Sequence, residues 1–563
     1  MHDRKLKTNS YMEGAFIATL GIVISKILGI IYVIPFYAII GTQGGALYGY
    51  AYNIYSIFLG ISSAGIPLAI SKLISEYDTL GLYKSKEKVF KISKRFLSVL
   101  GIICFLALFV FARDIATLII GDIKGGNTIE DIVYVIRVIS FSILIVPTLS
   151  VYRGYLQGHR FMEPTSISQV IEQFVRVTII IVGSFLASKV FNLSLKQTVG
   201  VALFGATVGA LVSTFYLVRK VRLNKKVLVK ESKNEVVKTT KEIIFQIFMY
   251  ASPFIFGEIT KSLYNSVDTF FVVRTLVNDL GYKVTDAEAI MGFISTWGNK
   301  LNMIIIAVGT GFMSSLLPNL TISHVKNDRK DIDSKINQTI QVLVLITLPM
   351  TVGLSFLARP VWNVFYGYSY YGPRVFAFSV FTAFVTIFLT TCTTTLMTLK
   401  EYRILFINLI VGLVVNAVLD VPLMHLLNNI GLPAYYGATL STILGNVTSI
   451  MIVFYFLKIK YGLHFKETVI RVAKIILSVL VMLLGLNILK LVIPFASSRM
   501  LSFVIVCIYA LVGIIIYYVC IKKFGLLDDI LGKDLLNKFK NKFKRKAKWF
   551  YNEIWGINRK RIW

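Results

Sequence analysis

The chain has 563 residues, of which 56% are hydrophobic and 16% charged, and its mean hydropathy is +0.71. A soluble fold cannot bury that much apolar surface, whereas a bilayer takes the place of the core. The formal net charge of +31 is no nucleic-acid signal, because the lysines and arginines fall mainly between apolar runs and in the tail.

About fourteen membrane spans are predicted in chain order, near residues 15–40, 46–75, 92–112, 132–157, 165–188, 198–219, 244–274, 289–317, 337–357, 375–398, 403–427, 434–457, 469–493 and 498–521. Lipid offers the backbone no hydrogen-bond partner, so the spans are expected to be helices. The alternation of a membrane barrel is absent. The basic segment Met1 to Ser10 leads into a first span long enough to stay inserted, with no cleavable signal pattern. Cys104, Cys392, Cys507 and Cys520 all sit in apolar stretches with no CxxC pair, and no HExxH motif occurs. No metal signature or disulfide framework is expected.

Alternate loops are basic. Lys84, Lys86, Lys88 and Lys91 follow the second span, and Arg219 to Lys230 follow the sixth. Lys326 to Lys335 follow the eighth, and Lys458 to Lys466 the twelfth. The loop after the seventh carries Asp279, Asp286 and Glu288 against Lys283 alone. Basic loops mark the cytoplasmic side, which puts both termini of a multi-pass membrane protein inside. The tail interleaves lysines with Phe539, Phe543, Trp549, Phe550 and Trp555. It reads as an amphipathic segment on the anionic inner leaflet rather than a nucleic-acid arm.

Two motifs recur. Ala112-Arg113 with Ile115 and Gly121 reappears as Ala358-Arg359 with Val361 and Gly367. Tyr134, Arg137-Val138 and Phe141-Ser142 reappear as Tyr371, Arg374-Val375 and Phe378-Ser379. Similar offsets on spans six apart imply two six-helix lobes with a site between them, as transporters have. The expected division is an N-lobe over 1–219, a basic linker over 220–243 and a C-lobe over 244–458, then the last two spans over 459–522 and the tail over 523–563.

An ionisable group inside a span is costly, so it faces a cavity or a partner. Candidates are Ser25 and Lys26 on the first span, Glu258, Lys261 and Asp268 on the seventh, and Lys300 on the eighth. Lys26 and Lys300 have no carboxylate on their own helical face and read as cavity cations. Glu172 and Arg176, four apart on the fifth span, read as a structural ion pair, with a transport role as the alternative. Asn416 and Asp420 lie four apart on the eleventh span.

The runs Gly21 to Gly29, Ala64 to Lys72 and above all Arg153 to Arg176 (RGYLQGHRFMEPTSISQVIEQFVR) resemble one family over essentially the whole chain. It is the polysaccharide-biosynthesis and stage-V-sporulation-B-like group of Gram-positive bacteria. That group includes the MurJ-type lipid II flippases, in the superfamily that holds the MATE exporters. The resemblance implies an all-α, non-enzymatic flippase with two six-helix lobes and two extra helices that border a groove for a lipid tail. Its cargo would be an undecaprenyl-pyrophosphate-linked sugar, lipid II first among candidates. Such an anionic head group needs a cationic, hydrated cavity, while the tail stays in lipid. Ser25-Lys26 and Lys300 resemble the family's cavity arginines with lysine substituted, and Arg153 lies in the motif; these residues, with Glu258 and Lys261, make up the expected cargo site.

The resemblance further implies a sodium site from Asp268, Asn416 and Asp420, with Thr439 or Thr442 adding a hydroxyl. The oxygen ligands suit a hard cation; proton coupling is the alternative drive. No organic cofactor is expected. Expected partners are the lipid-linked substrate, anionic lipids and cell-wall synthesis proteins. A MATE-type drug antiporter, a flippase for another lipid-linked polysaccharide and a non-transporting scaffold remain as alternatives.

Overall fold

The computed structural model describes residues 21, 24, 25, 28, 29 and 32–531, without 64, 122, 124, 229–236 and 327. The side chains at 226, 227, 311–319, 321, 322, 325 and 531 are not described. Among the described residues all regular structure is helical, and twelve helices are long and apolar enough to cross a membrane. Of the fourteen spans expected, the first (15–40) falls partly outside the described residues, and the basic tail falls outside them from residue 532 onward. The region of the eighth (289–317) is helical but is not among those twelve.

The helices follow in order as α1 (Val33–Ser63), α2 (Ile66–Thr79), α3 (Tyr83–Val110), α4 (Ala112–Ile120), α5 (Ile129–Ser140), α6 (Val146–Gly158), α7 (Met162–Thr178) and α8 (Leu195–Leu223). Then come α9 (Thr240–Arg274), α10 (Val284–Gly292), α11 (Gly298–Val325), α12 (Arg329–Phe356), α13 (Ala358–Tyr366), α14 (Gly372–Thr398), α15 (Tyr402–Asn429), α16 (Tyr436–Tyr461), α17 (Lys466–Val492) and α18 (Arg499–Lys523). Glycine sets two breaks that the hydropathy pattern does not show. Gly41, at φ +64°, ends the first span inside α1, and Gly65, at φ +67°, splits the second between α1 and α2.

The repeated Ala-Arg motif marks the same local structure twice. A long helix stops at Val110 or Phe356, one residue interrupts, and a nine-residue helix begins at Ala112 or Ala358. Each short helix leads to a glycine with positive φ, Gly121 or Gly367.

The chain divides into two compact units, one of residues 1–307 with 361–456 and one of 308–360 with 457–563. In the first, close packing rests on small residues. A Cβ at Gly154 would lie 2.7 Å from the Pro67 carbonyl oxygen, and one at Gly209 2.7 Å from the Glu172 carbonyl oxygen. The long motif from Arg153 therefore builds contact between α6 and α2, and Tyr155 adds a hydrogen bond to Glu87 at 2.7 Å.

In the second unit α12 packs with α17 and α18. A polar ladder joins α12 to α17: Thr468 donates to Asn337 at 2.6 Å, Gln341 to Thr468 at 2.7 Å and Arg471 to Gln341 at 2.8 Å. Pro349 cannot donate to the Leu345 carbonyl one turn back, and the Tyr517 hydroxyl of α18 does so at 2.7 Å. The outward faces of α17 and α18 are apolar, with Leu484, Ile488, Leu511, Ile514 and Ile515 all exposed, as lipid contact requires.

Candidate substrate cavity and ion site

The first site grows from an aromatic row on and beside α1. Tyr32 lies tilted against Phe36 and Phe36 meets Tyr48 in a T shape, with centroids 6.0 Å and 5.4 Å apart, and Tyr48 stacks on Tyr52 at 5.8 Å. Gly45 and Gly49 on α1 leave room for Trp297 and Ser295, and the Thr296 hydroxyl donates to the Gly45 carbonyl at 3.0 Å. Helices from the two halves of the chain therefore meet along this face. A π-turn over Phe293–Trp297 precedes α11, and Tyr366 donates to the Trp297 carbonyl at 2.9 Å. Two cations approach the row. Lys300 of α11 lies over the Tyr32 ring at 5.3 Å, and Arg176 of α7 over Tyr52 at 5.3 Å.

The other expected cargo residues divide. Ser25 bonds back to the Gly21 carbonyl at 2.9 Å, and Lys26 lies outside the described residues. Glu258 and Lys261 pair loosely at 4.0 Å and are both exposed. With exposed Asn265 they form one polar stripe along α9, the pattern of a helix facing water inside a membrane.

Arg153 and Glu172 correct the sequence reading. The expected Glu172–Arg176 pair does not form; Glu172 instead accepts from Arg153 at 2.6 Å. Arg153 also donates to Ser168 at 3.0 Å and Ser213 at 3.4 Å. The Arg153 guanidinium is thus committed to welding α6, α7 and α8 rather than facing cargo. Spacing of four allows a pair, but a neighbouring helix offers Glu172 a fuller set of contacts. Arg176 is left to reach α1.

The second site is rich in acceptors and poor in donors. Asn416 and Asp420 of α15 are fully buried, and Asp268 of α9 is 8% exposed. Asp268 lies within electrostatic reach of Asp420. Ser441 Oγ lies 3.0 Å from Asn416 Oδ1, 2.9 Å from Asp420 Oδ1 and 2.7 Å from the Ala438 carbonyl, yet has one proton to give. Thr442 Oγ1 lies 3.2 Å from Asn416 Oδ1. Asp268 Oδ1 and Asp420 Oδ2 have no hydrogen-bond partner among the described residues. Such convergence of unpaired oxygens fits a hard cation. Thr439 is buried, but the hydroxyl beside Asn416 and Asp420 belongs to Ser441, which the sequence reading missed. On α16, Ala438, Ser441, Thr442 and Gly445 form the stripe against α15, and 439 falls one position off it.

A third cluster escaped the sequence altogether because it joins distant loops. Glu288 of α10, 2% exposed, accepts from the Asn127 backbone N–H at 2.8 Å, and Asn127 donates to the Gln43 carbonyl at 3.2 Å. Nearby, Arg274 at the end of α9 donates to the Thr117 and Ile119 carbonyls at the end of α4. At its other end α9 is held by Tyr77 donating to Gln246 at 2.6 Å and by Lys72 over Tyr250 at 3.7 Å.

Comparison with known proteins places this arrangement. Residues 11–322 match the family model for polysaccharide biosynthesis protein, and 298–519 that for lipid II flippase MurJ. The lipid II flippase MurJ of Bacillus subtilis (strain 168) is 32% identical over 553 residues, covering 95% of this chain and 99% of that protein. Stage V sporulation protein B of the same organism is 23% identical, covering 65% of this chain and 68% of its own. Among solved structures, a lipid II flippase MurJ in its inward closed conformation aligns with a TM-score of 0.67 at 16% identity, over 92% of this chain and 100% of that one. An inward-facing multidrug resistance MATE family transporter aligns at 0.60 and 13% identity, over 80% and 98%. The chain belongs to the MurJ family of lipid II flippases, within the polysaccharide biosynthesis proteins.

Proposed function

We propose that this protein carries an undecaprenyl-pyrophosphate-linked cell-wall precursor, lipid II, from the inner to the outer leaflet by alternating access. The observation that carries the reading is Lys300, a cation inside a membrane protein on a face lined by tyrosines and with no ion-pair partner among the described residues. Near-full-length kinship to a lipid II flippase supports the cargo. The polar stripe of Glu258, Lys261 and Asn265 supplies wet surface for a sugar head group. Both termini are cytoplasmic on this reading, and anionic inner-leaflet lipids and cell-wall synthesis enzymes are its neighbours.

The test is growth of a strain depleted of its own flippase and supplied with variants. Lys300→Ala should reach the membrane and fail to support growth, because a charge-assisted phosphate contact contributes on the order of 1.5–3 kcal/mol. Lys300→Arg should support growth. Normal growth of Lys300→Ala at native expression would place the cargo site elsewhere.

We further propose that Asp268, Asn416 and Asp420, with Ser441 and Thr442, hold a sodium ion. Its single positive charge would offset one of the two buried carboxylates and link α9 to α15 and α16. Sodium should raise the melting temperature of the purified protein, and Asp268→Asn and Asp420→Asn should lose the effect. An identical response to sodium, potassium and choline would leave a proton or the membrane potential as the drive.

A further inference from the structure

The geometry points to Arg176 as a second phosphate-binding cation, one that selects a diphosphate over a monophosphate; this rests on the flippase reading above. Arg176 sits on a membrane helix, where an unserved charge is costly. Among the described residues no carboxylate lies within ion-pair distance of it, and Glu172, one turn earlier, is taken by Arg153. Its guanidinium instead lies 5.3 Å from the Tyr52 ring centre and donates to the Tyr48 hydroxyl at 3.4 Å. A phenol face and a hydroxyl fix the plane of the fork without neutralising it. Five N–H donors exceed what these phenols accept.

Lys300 reaches the same aromatic row from the other half of the chain, over Tyr32. Phe36 packs between Tyr32 and Tyr48, its ring centre 6.0 Å and 5.4 Å from theirs, and Arg176 reaches the Tyr48 hydroxyl of that row. One row of phenols is therefore bracketed by a point charge on one side and a planar fork on the other. A diphosphate has two phosphoryl groups to divide between them: the ammonium takes one and the fork takes two oxygens of the other. A monophosphate satisfies one cation and leaves the second unserved.

The test measures binding of undecaprenyl diphosphate and undecaprenyl monophosphate to the full-length protein in detergent micelles, by native mass spectrometry. The unmodified protein should prefer the diphosphate. Arg176→Gln should weaken diphosphate binding about tenfold while changing monophosphate binding less than about threefold. Its melting temperature should not fall, since the arginine serves the ligand rather than the fold. Arg176→Lys keeps the charge without the fork and should lose part of the preference, and it decides the matter if the glutamine variant does not fold. A folded Arg176→Gln, or failing that Arg176→Lys, that keeps the full preference overturns the assignment. If Lys300→Gln weakens both ligands while Arg176→Gln changes neither, Arg176 alone is refuted. If the unmodified protein binds neither ligand, the flippase reading falls with it.

Discussion

Replacing Glu172 with glutamine should destabilise the protein, and replacing Arg176 with glutamine should not. The asymmetry follows from what each side chain touches. Glu172 accepts from Arg153 at 2.6 Å, and the two side chains are 25% and 14% exposed. The guanidinium has two further acceptors in Ser168 and Ser213, so it is already positioned when the carboxylate arrives. A hydrogen bond to a charged group contributes about 1.5–3 kcal/mol. Residual exposure and competing partners in the membrane-embedded unfolded state lower that, so a coupling of about 1.5–2 kcal/mol is expected. Arg153→Met should cost more than Glu172→Gln, because it leaves a largely buried carboxylate unpaired. A double-mutant cycle on reversible unfolding in mixed micelles isolates the pair. The Glu172–Arg176 cycle should give a coupling near zero. A coupling below about 0.5 kcal/mol for Glu172–Arg153, with a larger one for Glu172–Arg176, would refute the assignment.

Tyr517→Phe removes the donor from the Leu345 carbonyl that Pro349 orphans, and should cost about 1–2 kcal/mol. In a Pro349→Ala background, where the helix can supply the donor, the same change should be nearly neutral; equal costs in both would contradict the pairing. Gly126→Ala puts a methyl group 2.7 Å from Glu288 Oε2 and should displace the carboxylate from Asn127. A cysteine at Gln43 should then react several times faster with an impermeant thiol reagent, and an unchanged rate would count against the bridge. For orientation, single cysteines at Lys226 and Asp286 in intact cells should label only at 286; labelling only at 226 would invert the topology.

Span existence and helix type were legible because lipid forces them: long apolar runs must be helices, and those near 92–112 and 498–521 read as such at once, although the third helix begins at Tyr83, inside the stretch read as a basic loop. Break points were not, since Gly41 and Gly65 interrupt helices through backbone conformation while leaving hydropathy untouched. Lys300 was legible as a lone charge. Asp268, Asn416 and Asp420 were legible by resemblance and spacing, but the Ser441 hydroxyl was not, because the register of α16 against α15 comes from packing at Gly412 and Gly445. Arg176 was misread because a carboxylate one turn away is the simplest partner in sequence, and only the fold shows Arg153 taking it. Nothing in the sequence singles out Tyr32, Tyr48 or Tyr52; the fold sets Lys300 over Tyr32 and Arg176 against Tyr48 and Tyr52.

The central claim is that this chain moves lipid II across the bilayer, and sidedness of that lipid on depletion tests it most directly. Cells in which this protein is the sole flippase are depleted of it, and lipid II is then assayed from outside by a lytic enzyme that cannot cross the membrane. The account predicts that total lipid II rises while the fraction cleaved falls toward zero, and that restoring the unmodified protein, but not Lys300→Ala, reverses both. Arrest of growth with lipid II still fully cleaved from outside would contradict it.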